Sequence, residues 1–148
     1  MIESIVVGTD GSDTANQAVQ RTGELAEKLG ATVNIVSAFD PVSSTRLQDE
    51  REHAPSDVEW SINPREDVDA MLERAAEPLR EHGVEVRTTA RAGDPADAIL
   101  DVAEEDHADL IVVGNRGMTG AKRFLLGSVP NKISHNAPCS VLIVRTTE

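Results

Sequence analysis

The sequence has little cysteine and no long hydrophobic run. Its one cysteine, Cys139, cannot form a disulfide within the chain, which is typical of proteins from a reducing compartment. The longest apolar runs, residues 110–113 and 141–144, are far shorter than the ~18 residues of a membrane-spanning helix. The first residues also lack the basic and apolar regions of a secretion signal. We therefore expect a soluble, cytoplasmic protein.

Basic residues are scarce as well. Lys and Arg number 14 against 26 Asp and Glu, which gives a net charge of −12 at pH 7. Such a chain repels phosphate backbones and anionic lipid headgroups, so we expect neither nucleic acid nor a membrane as a partner. Only three of the 14 basic residues are lysines. This composition suits a surface adapted to high salt, where screening removes self-repulsion, and it equally fits an ordinary acidic protein.

Short apolar runs alternate with helical periodicity along the 148 residues, a length that fits one domain. Strands are predicted at residues 5–7, 32–39, 84–90, 110–113 and 140–144, the last two with the apolar character of strands buried on both faces. The alternation implies right-handed crossovers and a parallel sheet that helices cover on both sides. The fold class predicted for residues 1–148 is therefore α/β, a doubly wound parallel sheet.

Capping residues set the predicted helix ends. Gly30 ends the first helix, and Pro78 should kink the second or end its regular part early. A helix should begin near Ser128 and stop before Pro138. Asn63-Pro64 and Asp94-Pro95 are predicted to begin the second and third helices. The polar residues 40–63, which include Trp60, form a long connection of the kind that serves as a lid.

Two strand ends carry unusual residues. Ligands of an open α/β sheet bind beyond the carboxyl ends of its strands, where the strand order reverses. The first strand is followed by Gly8-Thr9-Asp10-Gly11-Ser12. The fourth is followed by Gly114-Asn115-Arg116-Gly117, nine further residues and Gly127-Ser128.

The second of these segments has the composition of a phosphate site. Glycine allows close approach of the backbone, and Gly127-Ser128 precedes a helix whose N-terminus favours an anion. Arg116, Lys122 and Arg123 add positive charge to the same segment. The alternative is that the glycines only form turns and that Ser128 only caps its helix. In the first segment, Asp10 has the alternative of bonding neighbouring amides and capping the first helix.

The pattern Gly114-x2-Gly117-x9-Gly127-Ser128 resembles the nucleotide-binding signature of the universal stress protein family. Residues 5–12 look like the first strand and aspartate turn of that family, and residues 135–144 are similar to its last helix end and last strand. The resemblance covers nearly the whole chain. It points to the ATP-binding branch, because the other branch lacks the full glycine pattern.

The resemblance implies a five-stranded sheet of order 3-2-1-4-5, an adenine nucleotide alpha hydrolase-like fold. It places Asp10 and Ala38 beside adenine and ribose, and the glycine segments around ribose and phosphates. Pro130 has no amide hydrogen, yet we expect three amides at the helix start to stay available to phosphate. The three amides are those of Gly127, Ser128 and Val129. The residues assigned to the nucleotide are Gly8, Thr9, Asp10, Ala38, Gly114, Asn115, Arg116, Gly117, Gly120, Gly127, Ser128 and Val129.

The implied ligand is ATP, or ADP or AMP, with Mg²⁺ able to bridge the phosphates. The family resemblance also points to a homodimer formed through the last strand, which would be an exposed apolar edge. The residues of that strand are Val141, Leu142, Ile143 and Val144. The client proteins of such a module are not identifiable from the sequence.

Other site classes lack their defining residues. Neither the Gly-x-Gly-x-x-Gly spacing of dinucleotide folds nor a Walker A lysine follows the first strand. Covalent phosphatase chemistry needs an aspartate two residues before Asp10, where Gly8 stands. The four histidines show no metal-ligand spacing, and Cys139 is expected to be a packed thiol.

Three functions remain: a regulatory ATP-binding module, a slow ATPase or phosphotransferase, and an interaction protein with an empty nucleotide site. No general base for the γ-phosphate is identifiable. Binding with at most slow hydrolysis is therefore the preferred interpretation, and the interaction protein is the alternative.

Overall fold

The computed structural model describes residues 1–39, 65–115 and 127–146, in which five strands alternate with four helices. The predicted connection at 40–63, with Trp60 and Asn63-Pro64, lies outside the described residues. In chain order the elements are β1 (Ser4–Gly8), α1 (Asp13–Leu29), β2 (Thr32–Phe39), α2 (Arg65–Glu81), β3 (Val86–Ala92), α3 (Pro95–Glu105), β4 (Leu110–Gly114), α4 (Ser128–Asn136) and β5 (Ser140–Val144).

The strands form one parallel sheet of order β3-β2-β1-β4-β5, which confirms the predicted fold class. Val7 of β1 lies opposite Ile35 of β2 on one side and Val112 of β4 on the other. The strand order therefore reverses between β1 and β4. In a doubly wound sheet this reversal opens a crevice at the carboxyl ends of the two strands.

Helices cover both faces of the sheet, as the alternation predicted. Ile5 and Val7 point into the core shared with α1 and α2, and Val6 points into the core shared with α3 and α4. All three side chains are fully buried, as is typical of a central strand in a parallel sheet.

The first helix ends at Gly30, as the sequence predicts, and Ser12 caps its start. The Ser12 hydroxyl accepts a hydrogen bond from the Ala15 amide at 3.2 Å and caps the N-terminus. Gly30 follows the last residue with φ of 69°, the left-handed conformation that glycine adopts without strain.

The second helix does not end early at Pro78. It continues to Glu81, although proline cannot donate a backbone hydrogen bond. Tertiary packing explains the extension, because Leu79 is buried directly against Gly23 of α1. A Cβ atom at Gly23 would lie 2.7 Å from Leu79 Cγ, so the two helices approach closely at this point.

Two strand predictions need correction. The third strand begins at Val86, two residues later than predicted, because the Val84 amide donates to Leu79 O and closes the end of α2. The fifth strand is not buried on both faces. It is an edge strand, and Leu142 is 40% exposed.

Candidate functional site

The carboxyl ends of β1 and β4 meet the first turn of α4 at a small cleft. Three residues predicted from separate parts of the sequence come together there, namely Gly8, Gly114 and Val129. The remaining lining residues are Thr14, Ala15, Val113 and Thr146.

The turn after β1 is built around Thr9, which is 1% exposed. Its amide donates to Val36 O at 3.0 Å, and its hydroxyl oxygen accepts the Gly11 amide at 3.1 Å. The Thr9 side chain therefore holds the turn together. Any contribution of Thr9 to a ligand would come through the shape of this turn.

Asp10 lies half-buried in the same turn. Its Oδ1 atom accepts the Ser12 amide at 2.9 Å, which is the local bond that the alternative interpretation predicted. Asp10 does not cap α1, because Ser12 is the capping residue. The carboxylate is thus held within the turn that directly follows β1.

Ala38 lies near the end of β2 and packs against the core on the α3 and α4 side of the sheet. It comes two residues after Val36, which pairs with Gly8. Ala38 is therefore near the same carboxyl-terminal end of the strands as Gly8 and Asp10, one strand away.

The N-terminus of α4 points its first amides at this end of the strands. Gly127 is the capping residue, and the first amide to bond back into the helix is that of Asn131, which donates to Gly127 O at 3.0 Å. Ser128 is the first helical residue and is exposed. The interpretation of Ser128 as a helix cap is therefore wrong, and the amides of Ser128 and Val129 have no acceptor within the helix.

The expectation that Gly127 offers its amide to phosphate is wrong. That amide donates to the carbonyl oxygen of Asn115 at 3.0 Å. The amides of Ser128 and Val129 have no acceptor within α4, and an anion placed at this helix start still meets the positive end of the helix dipole.

Asn115 is held by the last residue of β5 and by Thr146, two residues further along. Its amide donates to Val144 O at 2.9 Å, and its Oδ1 atom accepts both the amide and the hydroxyl of Thr146, at 2.8 and 3.1 Å. A Cβ atom at Gly114 would lie 3.2 Å from the Thr146 methyl carbon. The glycine at this position thus makes room for Thr146.

Thr146 is a site residue that the motifs do not reveal. It follows the last strand and matches no nucleotide-binding pattern. Only the pairing of Gly114 with Val144 brings it to the crevice.

The remaining predicted ligands, Arg116, Gly117 and Gly120, lie outside the described residues, as do Lys122 and Arg123.

One cation does lie in the first turns of α4. The Lys132 ammonium contacts Asp97 at 2.9 Å and Asp94 at 3.4 Å, and the hydrogen bond to Asp97 raises the pKa of Lys132. Asp94 also caps α3. These contacts join the N-termini of α3 and α4 at the edge of the sheet where the crevice lies, and the sequence analysis did not predict them.

Within residues 1–39, 65–115 and 127–146, no cluster of three His, Cys, Asp or Glu side chains suited to a metal ion occurs. Cys139 is partly buried, and this burial raises the pKa of its thiol, as expected of a packed cysteine. None of the described helices is long and apolar enough to span a membrane.

Residues 1–145 match the family model described as "Universal stress protein family". The chain belongs to the universal stress protein family. Universal stress protein Rv1636 of Mycobacterium tuberculosis is 36% identical to it, over 98% of this chain and 97% of that protein. The resemblance that the glycine pattern suggested is thus confirmed at the level of the family.

Solved structures of this family show the same architecture. A universal stress protein in complex with cAMP has a TM-score of 0.73 and 31% identity, over 99% of this chain and 98% of that chain. The universal stress protein from Archaeoglobus fulgidus in complex with dAMP has a TM-score of 0.67 and 26% identity, over 98% and 100%. Both of those proteins hold an adenine nucleotide.

Proposed function

We propose that this universal stress protein binds ATP, or ADP or AMP in its place, and acts as a regulatory module of the cytoplasm. The observation that carries the proposal is the meeting of Gly8, Gly114 and Val129 in one cleft at the start of α4. This is the place where an open α/β sheet binds ligands. The family structures in complex with cAMP and dAMP support the choice of adenine.

The phosphates would lie at the start of α4. The amides of Ser128 and Val129 would donate to phosphate oxygens, and the helix dipole would favour their negative charge. Adenine and ribose would extend toward Asp10 and Ala38, whose positions at one sheet edge allow both to contact an adenosine group. In the ATP complex, Mg²⁺ would bridge the phosphates.

Hydrolysis would be slow at most. Efficient phosphoryl transfer to water needs a group that orients the water in line with the leaving oxygen. Under this proposal Asp10 faces the adenosine group and not the phosphates, which argues against a role for it as general base. The nucleotide would then act as a signal whose occupancy other proteins read.

Isothermal titration with AMP, ADP and ATP, each with and without Mg²⁺, tests this proposal. We expect saturable binding of one nucleotide per chain. Absence of heat with all three nucleotides would contradict nucleotide binding and leave the interaction protein with an empty site as the better account.

The variant Asp10→Asn tests where the adenosine group lies. It removes the negative charge but keeps an oxygen that can accept the Ser12 amide, so the turn is preserved. We expect about a tenfold loss of affinity from weaker bonds to the ribose hydroxyls. Asp13→Asn, on the exposed first residue of α1, is the matched control and should bind as the wild type does.

We also propose that the protein is a homodimer paired through β5. The support is the partly exposed apolar strand at the sheet edge, where backbone groups are open to pairing with a second copy.

A further inference from the structure

We refer to four of the hydrogen bonds that Asn115 makes as the Asn115 junction. The Asn115 carbonyl accepts the Gly127 amide at 3.0 Å, so both ends of the chain segment between these residues are joined. The Asn115 amide donates to Val144 O at 2.9 Å, and the side chain accepts two bonds from Thr146. The junction thus connects the end of β4, the start of α4, the end of β5 and Thr146.

Thr146 determines how the Asn115 side chain is oriented. A backbone amide can only donate, so the atom that faces the Thr146 amide at 2.8 Å must be the oxygen of the Asn115 side chain. That oxygen cannot donate, so the Thr146 hydroxyl donates to it at 3.1 Å. Thr146 is 7% exposed and Asn115 is half-buried, so water only partly replaces a donor that the Asn115 oxygen loses.

We propose that Thr146 is a positioning residue of the nucleotide site. Through Asn115 it holds the Gly127 end of α4 at a fixed distance from Gly114, and this distance sets where the Ser128 and Val129 amides meet the phosphates. The inference rests on the proposed function and deepens it. Thr146 itself does not need to touch the nucleotide.

Removal of the Thr146 hydroxyl should weaken nucleotide binding, because the junction would then be open more often. When the junction opens part of the time, only the closed fraction of the protein binds, and the apparent dissociation constant rises in inverse proportion to that fraction. Loss of the hydrogen bond from the Thr146 hydroxyl to Asn115 should change the equilibrium constant between the open and the closed junction by about three- to tenfold.

Three variants separate the hydroxyl from the packing. Thr146→Val keeps the shape of the side chain and its methyl contact with Gly114 but removes the hydroxyl donor. Thr146→Ser keeps the donor and removes the methyl group. Thr22→Val is the matched control, because Thr22 is equally buried and its hydroxyl donates to Ala18 O at 2.8 Å within α1.

The readouts are the ATP dissociation constant and the hydrogen exchange rate of the Gly127 amide in the nucleotide-free protein. We expect Thr146→Val to raise the Gly127 exchange rate by about three- to tenfold and the ATP dissociation constant in the same direction by at most that factor, and Thr146→Ser and Thr22→Val to change each by less than about twofold. An unchanged Gly127 exchange rate in Thr146→Val, or equal effects in Thr22→Val, would overturn the proposal.

The two measurements also separate this inference from the proposed function. If the wild type binds no nucleotide, the proposed function fails. The exchange rate of the Gly127 amide still decides whether Thr146 holds the junction.

Discussion

Gly114 at the end of β4 and Gly11 in the turn after β1 lie against different side chains. Gly114 leaves room for the Thr146 methyl group, whereas Gly11 has φ of +84° and packs beneath Met71 of α2. The sequence analysis assigned Gly114 to the nucleotide and placed Gly11 in the segment after the first strand, but it could not give these reasons, because each depends on a residue that is distant along the chain. The glycine pattern alone therefore indicates the place of the site and not the role of each residue.

Gly11→Ala should destabilise the protein more than Gly83→Ala does. Both glycines have a positive φ near 80°, so alanine at either position costs about 1 kcal/mol from backbone strain. At Gly83 the added Cβ meets nothing within 4 Å, but at Gly11 it would lie 2.9 Å from Met71 Cγ, which must shift. We expect an additional loss of about 1 kcal/mol at Gly11. Urea denaturation measures both, and equal losses would show that Met71 yields without cost.

At the scale of the elements, the strands and helices could be predicted well from periodicity, but their ends could not. The start of β3 moved from residue 84 to residue 86 because the Val84 amide closes α2 instead of pairing with β2. The helix α2 continues through Pro78 because Leu79 packs into α1. Both departures are cases in which tertiary contacts override a local signal.

The Asp109 carboxylate links two elements at the amino ends of the strands. It accepts the amides of Glu3 and Ser4 at 2.9 and 3.1 Å, and these bonds hold the pKa of Asp109 below its ordinary value of 3.8. As the pH falls, the unfolded chain therefore takes up this proton before the folded chain does. The stabilisation is present above the unfolded pKa and is lost as the pH drops through the lower, folded value.

Asp109→Asn should therefore flatten the acid side of the stability profile. We expect the variant to be less stable than the wild type near neutral pH, and the difference to shrink between about pH 5 and about pH 2. Urea midpoints across this range measure it. Glu27→Gln, at an exposed carboxylate of α1, is the control and should keep the wild-type slope. A constant difference between Asp109→Asn and wild type would contradict the assignment.

At the scale of the whole molecule, the topology brings the two halves of the site together. The order β3-β2-β1-β4-β5 places β1 beside β4, and the pairing of Gly114 with Val144 brings Thr146 to the crevice. The family resemblance predicted the strand order, and with it the meeting of Gly8 and Gly114. It could not predict that Gly127 gives its amide to Asn115, because the motif does not fix how two residues twelve positions apart are placed.

The edge strand β5 supplies the test of assembly. Leu142→Lys should convert a dimer to a monomer in light scattering, because a lysine at this exposed edge opposes pairing with a second copy. Leu142 suits this test better than Ile143, whose side chain packs against the core beneath α4. Leu29→Lys, at a leucine of similar exposure that ends α1, is the control and should leave the dimer intact. A dimer that survives Leu142→Lys would rule out the β5 interface.

The central claim is that an adenine nucleotide binds where β1, β4 and α4 meet. The most direct test is a titration of the isotope-labelled protein with ATP, followed by amide chemical shifts. We predict saturable shifts at the cleft residues, and no comparable shifts at the opposite edge of the sheet around Asp109. The affected amides should be those of Gly8, Gly114, Ser128 and Val129. Unchanged amides at saturating ATP, or shifts confined to another surface, would contradict the account.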